Sequence, residues 1–279
     1  MPVTQIVRED LGAGTTKKVT GKDFSGKSLT DIDSKDVQFE GCNFSASIIE
    51  RGYFHQAAFR RCTFVGTRFV DCVFRSATFE SCDFRYAAFH GCYLPIPQLL
   101  VNLPSHANER WQLLRNLRAN QRAVGDSQHD SAIVWREIDA EMEHWRGVKA
   151  SESVYYQKYS RSDRARALLS LIRLRFERHV WGHGESLWRL FLATGFLLLL
   201  LSFFRTVGLI QSTEATTLST AAAKFIESVL FLCSLYVDLP TVLPADVHAS
   251  PFTASLAVAL RYVSIGLAIP VLYKYIAKR

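Results

Sequence analysis

A bulky apolar residue returns at every fifth position from Phe39 to Leu94, and the register continues less regularly back to Phe24. A period of five fits neither the 3.6-residue turn of an α-helix nor the two-residue alternation of a strand. It predicts a coil with four flat sides, one pentapeptide to a side. Smaller residues stand two positions before most of the bulky centres and are predicted to point inward with them: Cys42, Ser47, Gly52, Ala57, Cys62, Thr67, Cys72, Ala77, Cys82, Ala87 and Cys92.

Successive coils of such a chain stack, so residues twenty positions apart lie above one another. One such column is predicted to contain Phe24, Phe44, Phe64 and Phe84, and another Phe39, Phe59 and Phe79. One coil is too thin to bury a core, and only a stack of coils closes one, as in other solenoids. The pattern resembles the pentapeptide-repeat family, and the resemblance implies a right-handed quadrilateral β-helix over residues 22–96, with residues 1–21 as a lead-in. Since that family mostly presents surfaces, it also implies sensing or docking of a cytoplasmic protein partner.

Five of the six cysteines occupy the small positions of the repeat. Their spacings of ten or twenty put them on separate sides or separate coils, and the sequence contains no CxxC pair. We interpret them as small apolar core residues and not as zinc ligands. Because no nucleophile–base set or metal cluster emerges from the sequence, we expect neither an enzyme nor a cofactor.

Residues 97–180 are predicted to be a helical linker. A helix from about Ser105 and a second from about Ser131 to Trp145 are expected to form a hairpin that leans on the end of the solenoid. Glu141 and His144 have a Glu-x-x-His spacing. We interpret these two residues as part of a solvated helix face, because the further glutamates of a di-iron site are missing.

Charge is distributed unevenly over the chain, whose formal net charge is +7. Residues 22–94 carry nine basic and nine acidic side chains, whereas residues 161–189 carry seven arginines against three acids. Leucines alternate with these arginines, which predicts a basic amphipathic helix at a lipid headgroup surface and no nucleic-acid partner. The predicted membrane-surface anchors are Arg161, Arg164, Arg166, Arg173, Arg175 and Arg178.

Residues 181–279 are predicted to be a membrane domain. Leu187–Ile210 and about Ser255–Tyr273 are apolar enough to span a bilayer, and a shorter apolar helix lies between them at about Thr220–Leu235. Residues 211–250 carry one lysine against four acids, while the outer flanks of both spans are cationic. The positive-inside rule therefore predicts both termini in the cytoplasm of an inner-membrane protein. No cleavable signal peptide is expected, since the first ten residues lack an apolar core.

The segment Ser234, Leu235, Tyr236, Val237 and Asp238 resembles the potassium-channel filter TVGYGD, whose tyrosine and aspartate it shares. Together with other short motifs, it is similar to membrane-anchored bacterial pentapeptide-repeat proteins that carry a two-transmembrane ion-channel module with a re-entrant helix. Those other motifs are Gly125 and Asp126, Trp135–Glu137 and Trp181–Glu185. The resemblance implies a homo-oligomer, by analogy a tetramer, with Ser234–Asp238 at its constriction.

Departures from the filter pattern limit what the resemblance implies. Both filter glycines are replaced, by Leu235 and Val237, which resist the left-handed backbone that glycine adopts cheaply. We therefore expect a weakly selective or non-potassium pore, with a non-conducting, membrane-tethered scaffold as the alternative. Arg261, a charge inside the second span, is expected to pair with Asp238 or Glu227, to line a path attractive to anions, or to snorkel to the headgroups.

Overall fold

A computed structural model describes residues 5–7, 17–126, 128–151, 154–184, 186–211, 217–238 and 251–277. The chain forms two compact units, Met1–Leu171 and Ile172–Arg279. The first unit contains a β-solenoid and helices, and the second unit is helical.

The β-solenoid is built from short parallel strands. They are β1 (Gln5–Val7), β2 (Lys18–Thr20), β3 (Ser28–Thr30), β4 (Gln38–Glu40), β5 (Ile48–Glu50), β6 (Ala58–Arg60), β7 (Arg68–Val70), β8 (Thr78–Glu80) and β9 (Ala88–His90). Odd-numbered strands form one sheet and even-numbered strands the other. The two remaining sides are joined by isolated parallel bridges, such as Asn43 to Thr63. Phe39 pairs with Phe59, twenty residues on, so the predicted stacking of coils is confirmed for about four turns.

The solenoid begins earlier than the predicted boundary at residue 22. Val19 on β2 is a buried centre residue five positions before Phe24, so the five-residue register extends into the predicted lead-in. Ile6 on β1 pairs with Leu29, twenty-three residues on. That offset breaks the twenty-residue repeat, which is why the sequence pattern did not include β1.

The core is a set of stacked phenylalanine rings. Phe69 and Phe89, for example, have ring centroids 4.9 Å apart and planes 5° from parallel. Each corner, two residues after a centre, has a positive φ at every position from Asp31 to Gly91, including large side chains such as Arg61. This conformation costs a non-glycine residue about 1–2 kcal/mol. From Asp31 to Asp71, hydrogen bonds from the corners to the next coil hold it, as in Arg61 N–H to Glu80 O at 2.8 Å.

Three helices, α1 (Ile96–Val101), α2 (Ala107–Val124) and α3 (Asp130–Ala150), close the C-terminal end of the solenoid. They are followed by α4 (Val154–Gln157) and α5 (Arg161–Val180). Leu99, Leu113 and Leu117 belong to the same apolar core as the phenylalanines, so the predicted hairpin does lie on the end of the solenoid. The prediction for His144 is wrong, because its side chain is buried, 5.6 Å from Trp111 between ring centroids, and not solvated.

Three asparagine side chains make the hydrogen bonds to the last coil that a further coil would have made. Asn120 Oδ1 accepts from Cys92 N–H at 2.8 Å, and Asn120 Nδ2 donates to Cys92 O at 2.7 Å. Asn116 makes the same exchange with Phe89, and Asn102 bonds Cys82 N–H and Phe79 O. A primary amide offers the same donor and acceptor as a peptide group, so these residues satisfy backbone groups at an edge that would otherwise template further strand pairing.

The second unit contains α6 (Leu187–Gln211), α7 (Leu218–Val237) and α8 (Pro251–Ala277). All three helices are long and apolar enough to cross a membrane. Most of their large apolar side chains point outward, and a small cluster around Leu198, Phe231, Leu232 and Ala257 is buried between them. The middle helix is longer than predicted, since α7 continues to Val237 and takes in most of the filter-like segment.

Candidate functional site

Contacts between α7 and α6 show how far along α6 the end of α7 lies. Lys224 Nζ donates to Leu209 O at 3.5 Å, and four residues later Ser228 Oγ lies 3.1 Å from Thr206 Oγ1. Residue numbers rise along α7 as they fall along α6, so the two helices are antiparallel. Continuing at this register, the last turn of α7 lies level with Leu198, which is halfway along α6 and packs in the same cluster.

Contacts with α8 lead to the same conclusion. Ala257 packs in the cluster with Leu232, and further along both helices Tyr236 Oη lies 2.6 Å from Ser264 Oγ. Beyond Ser264, α8 continues to Ala277, which is about 20 Å at 1.5 Å per residue. The short 3-10 helix that precedes α6, Gly182–Gly184, also contacts α8. Thus α7 ends halfway along both neighbouring helices.

A charged pair marks this end of α7. Asp238 adopts a left-handed conformation (φ 64°) and donates its N–H to Ser234 O, which terminates the helix. Its Oδ1 lies 3.0 Å from a terminal nitrogen of Arg261, whose other terminal nitrogen donates to Tyr262 Oη at 3.3 Å. Of the partners predicted for Arg261, the structure therefore has Asp238. The Arg261 side chain is 16% exposed, whereas that of Asp238 is 82% exposed.

The filter-like residues do not adopt a filter-like backbone. Ser234, Leu235, Tyr236 and Val237 form the last turn of α7, so their carbonyls point along the helix axis. In a potassium-channel filter, which this segment resembles, the corresponding carbonyls line the ion path one after another. The departure has a physical cause, because leucine and valine at the former glycine positions favour the helical backbone over left-handed conformations. Tyr236 and Asp238 of this segment contact α8, while Val237 is exposed.

Arg205 on α6 is a second polar residue of this unit, and the sequence did not identify it as a site. Its side chain is buried, and its guanidinium stacks 4.3 Å above the Phe231 ring. None of its side-chain nitrogens has a hydrogen-bond acceptor in the described part of the chain. The predictive signal was its position within an apolar run, since a buried charge in such a run demands compensation.

The arginines of α5 lie on its exposed surface. Ala167, Leu171 and Leu174 form a buried stripe, whereas Leu169 and Phe176 lie on an exposed apolar stripe with Leu168 and Ile172. At 100° per residue, arginines flank this exposed stripe on both sides. Those with exposed side chains are Arg161, Arg164, Arg166, Arg173 and Arg175, and Arg178 is half-buried.

The repeat cysteines have the environment of core residues. Cys72 Sγ donates to Ile49 O of the preceding coil at 3.3 Å, and Cys42, Cys62 and Cys82 make equivalent bonds. A hydrogen bond with Cys92, reinforced by burial, raises the pKa of the Cys72 thiol above its usual range. Among the residues that the structure describes, no three His, Cys, Asp or Glu side chains are grouped to hold a metal ion.

Comparisons with known proteins identify the repeat. A family model described as "Pentapeptide repeat region" matches residues 32–100. No curated protein matches the chain. Among solved structures, a trypsin-treated form of QnrB1, a plasmid-mediated fluoroquinolone resistance protein, shares 18% identity over 32% of this chain, with a TM-score of 0.25. The chain thus spans about half (53%) of that structure.

Two further solved structures match to a similar extent. A pentapeptide repeat protein from the Arabidopsis thaliana thylakoid lumen shares 18% identity over 37% of this chain and 78% of its own, with a TM-score of 0.17. Full-length QnrB1 shares 18% identity over 32% of this chain and 72% of its own, with a TM-score of 0.13. The family model thus identifies residues 32–100 as a pentapeptide repeat region, in a chain that also carries helices long and apolar enough to span a membrane.

Proposed function

We propose that the protein is a membrane protein in which α6 and α8 cross the bilayer and α7 enters from one side and ends near its middle. The register of α7 against both neighbours supports this arrangement. It also agrees with the charge pattern, since α5 before the first span and Lys274, Lys278 and Arg279 after the second are cationic. Both termini then lie on the cytoplasmic side of an inner membrane.

The function that this geometry favours is an oligomeric, ion-channel-like pore. The observation that carries the proposal is the exposed Asp238 carboxylate halfway along two apolar helices. An ionised group at that depth is costly against lipid and normally faces protein or a water-filled cavity. One copy supplies only one α7 end, so a path along a shared axis needs several copies, and the resemblance favours four.

The solenoid and α5 complete the proposal on the cytoplasmic side. The exposed apolar stripe of α5, with arginines on both flanks, suits the interface of an anionic bilayer. One side of the solenoid carries Tyr53, Tyr93, His55 and Arg75 around a cavity of about 380 Å³. Tyrosine and arginine are the residues that most often dominate protein interfaces. We assign this side of the solenoid to a cytoplasmic protein partner.

A non-conducting scaffold is the second candidate. It is favoured by the two contacts that fasten the end of α7 to α8, Tyr236 to Ser264 and Asp238 to Arg261, since these contacts can serve packing alone. Ion flux from liposomes that contain the purified protein distinguishes the two candidates, with the subunit number measured by native mass spectrometry. A pore gives flux above that of empty liposomes from an oligomer. Absence of flux from a homogeneous, folded preparation would favour the scaffold.

A further inference from the structure

At the end of α7 the negative charge of Asp238 lies at the surface, and the positive charge of Arg261 lies further inside. Asp238 is largely exposed, while the Arg261 side chain that holds its Oδ1 is largely buried. An ion that approaches this surface therefore meets the carboxylate before the guanidinium. Had Arg261 been the exposed member of the pair, the same residues would have attracted anions.

The helix itself adds to the negative field. Leu235, Tyr236 and Val237 are in the last turn of α7, where carbonyl groups have no intrahelical partner. These groups give a helix C-terminus about −0.5 elementary charge. The charges of Asp238 and Arg261 cancel formally, so each copy contributes about −0.5 charge at this level, with the negative part outermost.

Lipid does not suit this surface. The carboxylate lies halfway along α6 and α8, about 15–20 Å from the ends of these helices at 1.5 Å per residue. Lysine and arginine reach the headgroups from within a span through long stems, but an aspartate has no such stem. A water-filled path between copies is the environment that leaves Asp238 ionised.

From this arrangement we infer that the path carries cations in preference to anions, that Asp238 faces it, and that Arg261 limits the strength of its negative field. The inference rests on the proposed pore function. It assigns opposite effects to the two members of one ion pair, whereas a purely structural pair would affect stability alone.

The test is the ratio of potassium to chloride permeability of the full-length protein in planar bilayers, measured under a KCl gradient. We expect a ratio above one for the wild type. Asp238→Asn is expected to lower the ratio several-fold, to unity or below, because the guanidinium is left without its counter-charge. Arg261→Gln is expected to raise it. Asp238→Glu, which keeps the charge, and Glu227→Gln, which removes a carboxylate on α7 away from its end, are the matched controls.

The possible results distinguish a failure of the cation preference from a failure of the proposed pore. A wild type without conductance overturns the pore and the cation path together. A conducting wild type that prefers chloride overturns the cation path alone, as does a ratio unchanged in both Asp238→Asn and Arg261→Gln. Each variant is first checked for the wild-type elution volume and melting temperature. Should Asp238→Asn not fold, the rise expected in Arg261→Gln decides the question by itself.

Discussion

The asparagine cap of the solenoid makes a quantitative prediction about stability. Asn120 is buried, and its amide satisfies both the N–H and the C=O of Cys92. Asn120→Leu keeps nearly the same shape but removes both hydrogen bonds, so a buried donor and a buried acceptor are left without partners. Each such group costs about 1–3 kcal/mol.

The apolar gain of a buried leucine offsets part of this loss. We expect Asn120→Leu to lower the free energy of unfolding by about 3 kcal/mol, since leucine burial returns about 1–2 kcal/mol. For a unit of this size, 1 kcal/mol shifts the melting temperature by about 2–4 °C, so the expected loss is about 6–12 °C.

Thermal unfolding of the detergent-solubilised full chain, followed by tryptophan fluorescence, measures the effect. Trp111 lies on α2 and packs against the solenoid core, so it reports on the capped end. Gln112→Leu is the matched control, because Gln112 lies on the same helix and is exposed. If Asn120→Leu melts within about 2 °C of this control, the asparagine amide does not stabilise the end of the solenoid.

Further predictions concern thiols, pH and packing. In the native protein a thiol reagent should modify Cys233 alone, because the repeat cysteines are buried; mass spectrometry counts the adducts. Burial lowers the pKa of His144, so the folded state favours the neutral ring and stability falls as the pH drops below about 6.5. That loss should be smaller in His144→Phe. Gly52→Ala should lower the melting temperature by several degrees, because a Cβ there would overlap the Phe54 ring; an unchanged value would contradict the packing described.

Some of these features were readable in the sequence. The five-residue register defined the solenoid because each coil repeats one inward pattern, so stacking is implied by spacing alone. The pairing of Arg261 with Asp238 was among the expected alternatives, since a charge within a span needs compensation. In the first case a repeated pattern carries the information, and in the second a single charged residue does.

Other features depend on contacts that spacing does not encode. Asn116 and Asn120 lie one turn apart on the face of α2 that also carries Leu113 and Leu117. Polar residues on an apolar face were a usable signal, but their partners are backbone groups of a distant coil. His144 was predicted to be solvated because nothing in the sequence indicates that aromatic side chains cover it. The corner residues likewise take positive φ through hydrogen bonds to the next coil, against their local preference.

In the proposed arrangement α7 reaches only the middle of the bilayer, while α6 and α8 cross it. Two crossings leave the solenoid and the C-terminus on the same side of the membrane, whereas three crossings put them on opposite sides. The most direct measurement is therefore the protease accessibility of a C-terminal tag and of the solenoid in sealed vesicles of known orientation. We expect the tag and the solenoid to be digested together, in inside-out vesicles only. Digestion of the tag in right-side-out vesicles, with the solenoid protected, would contradict it.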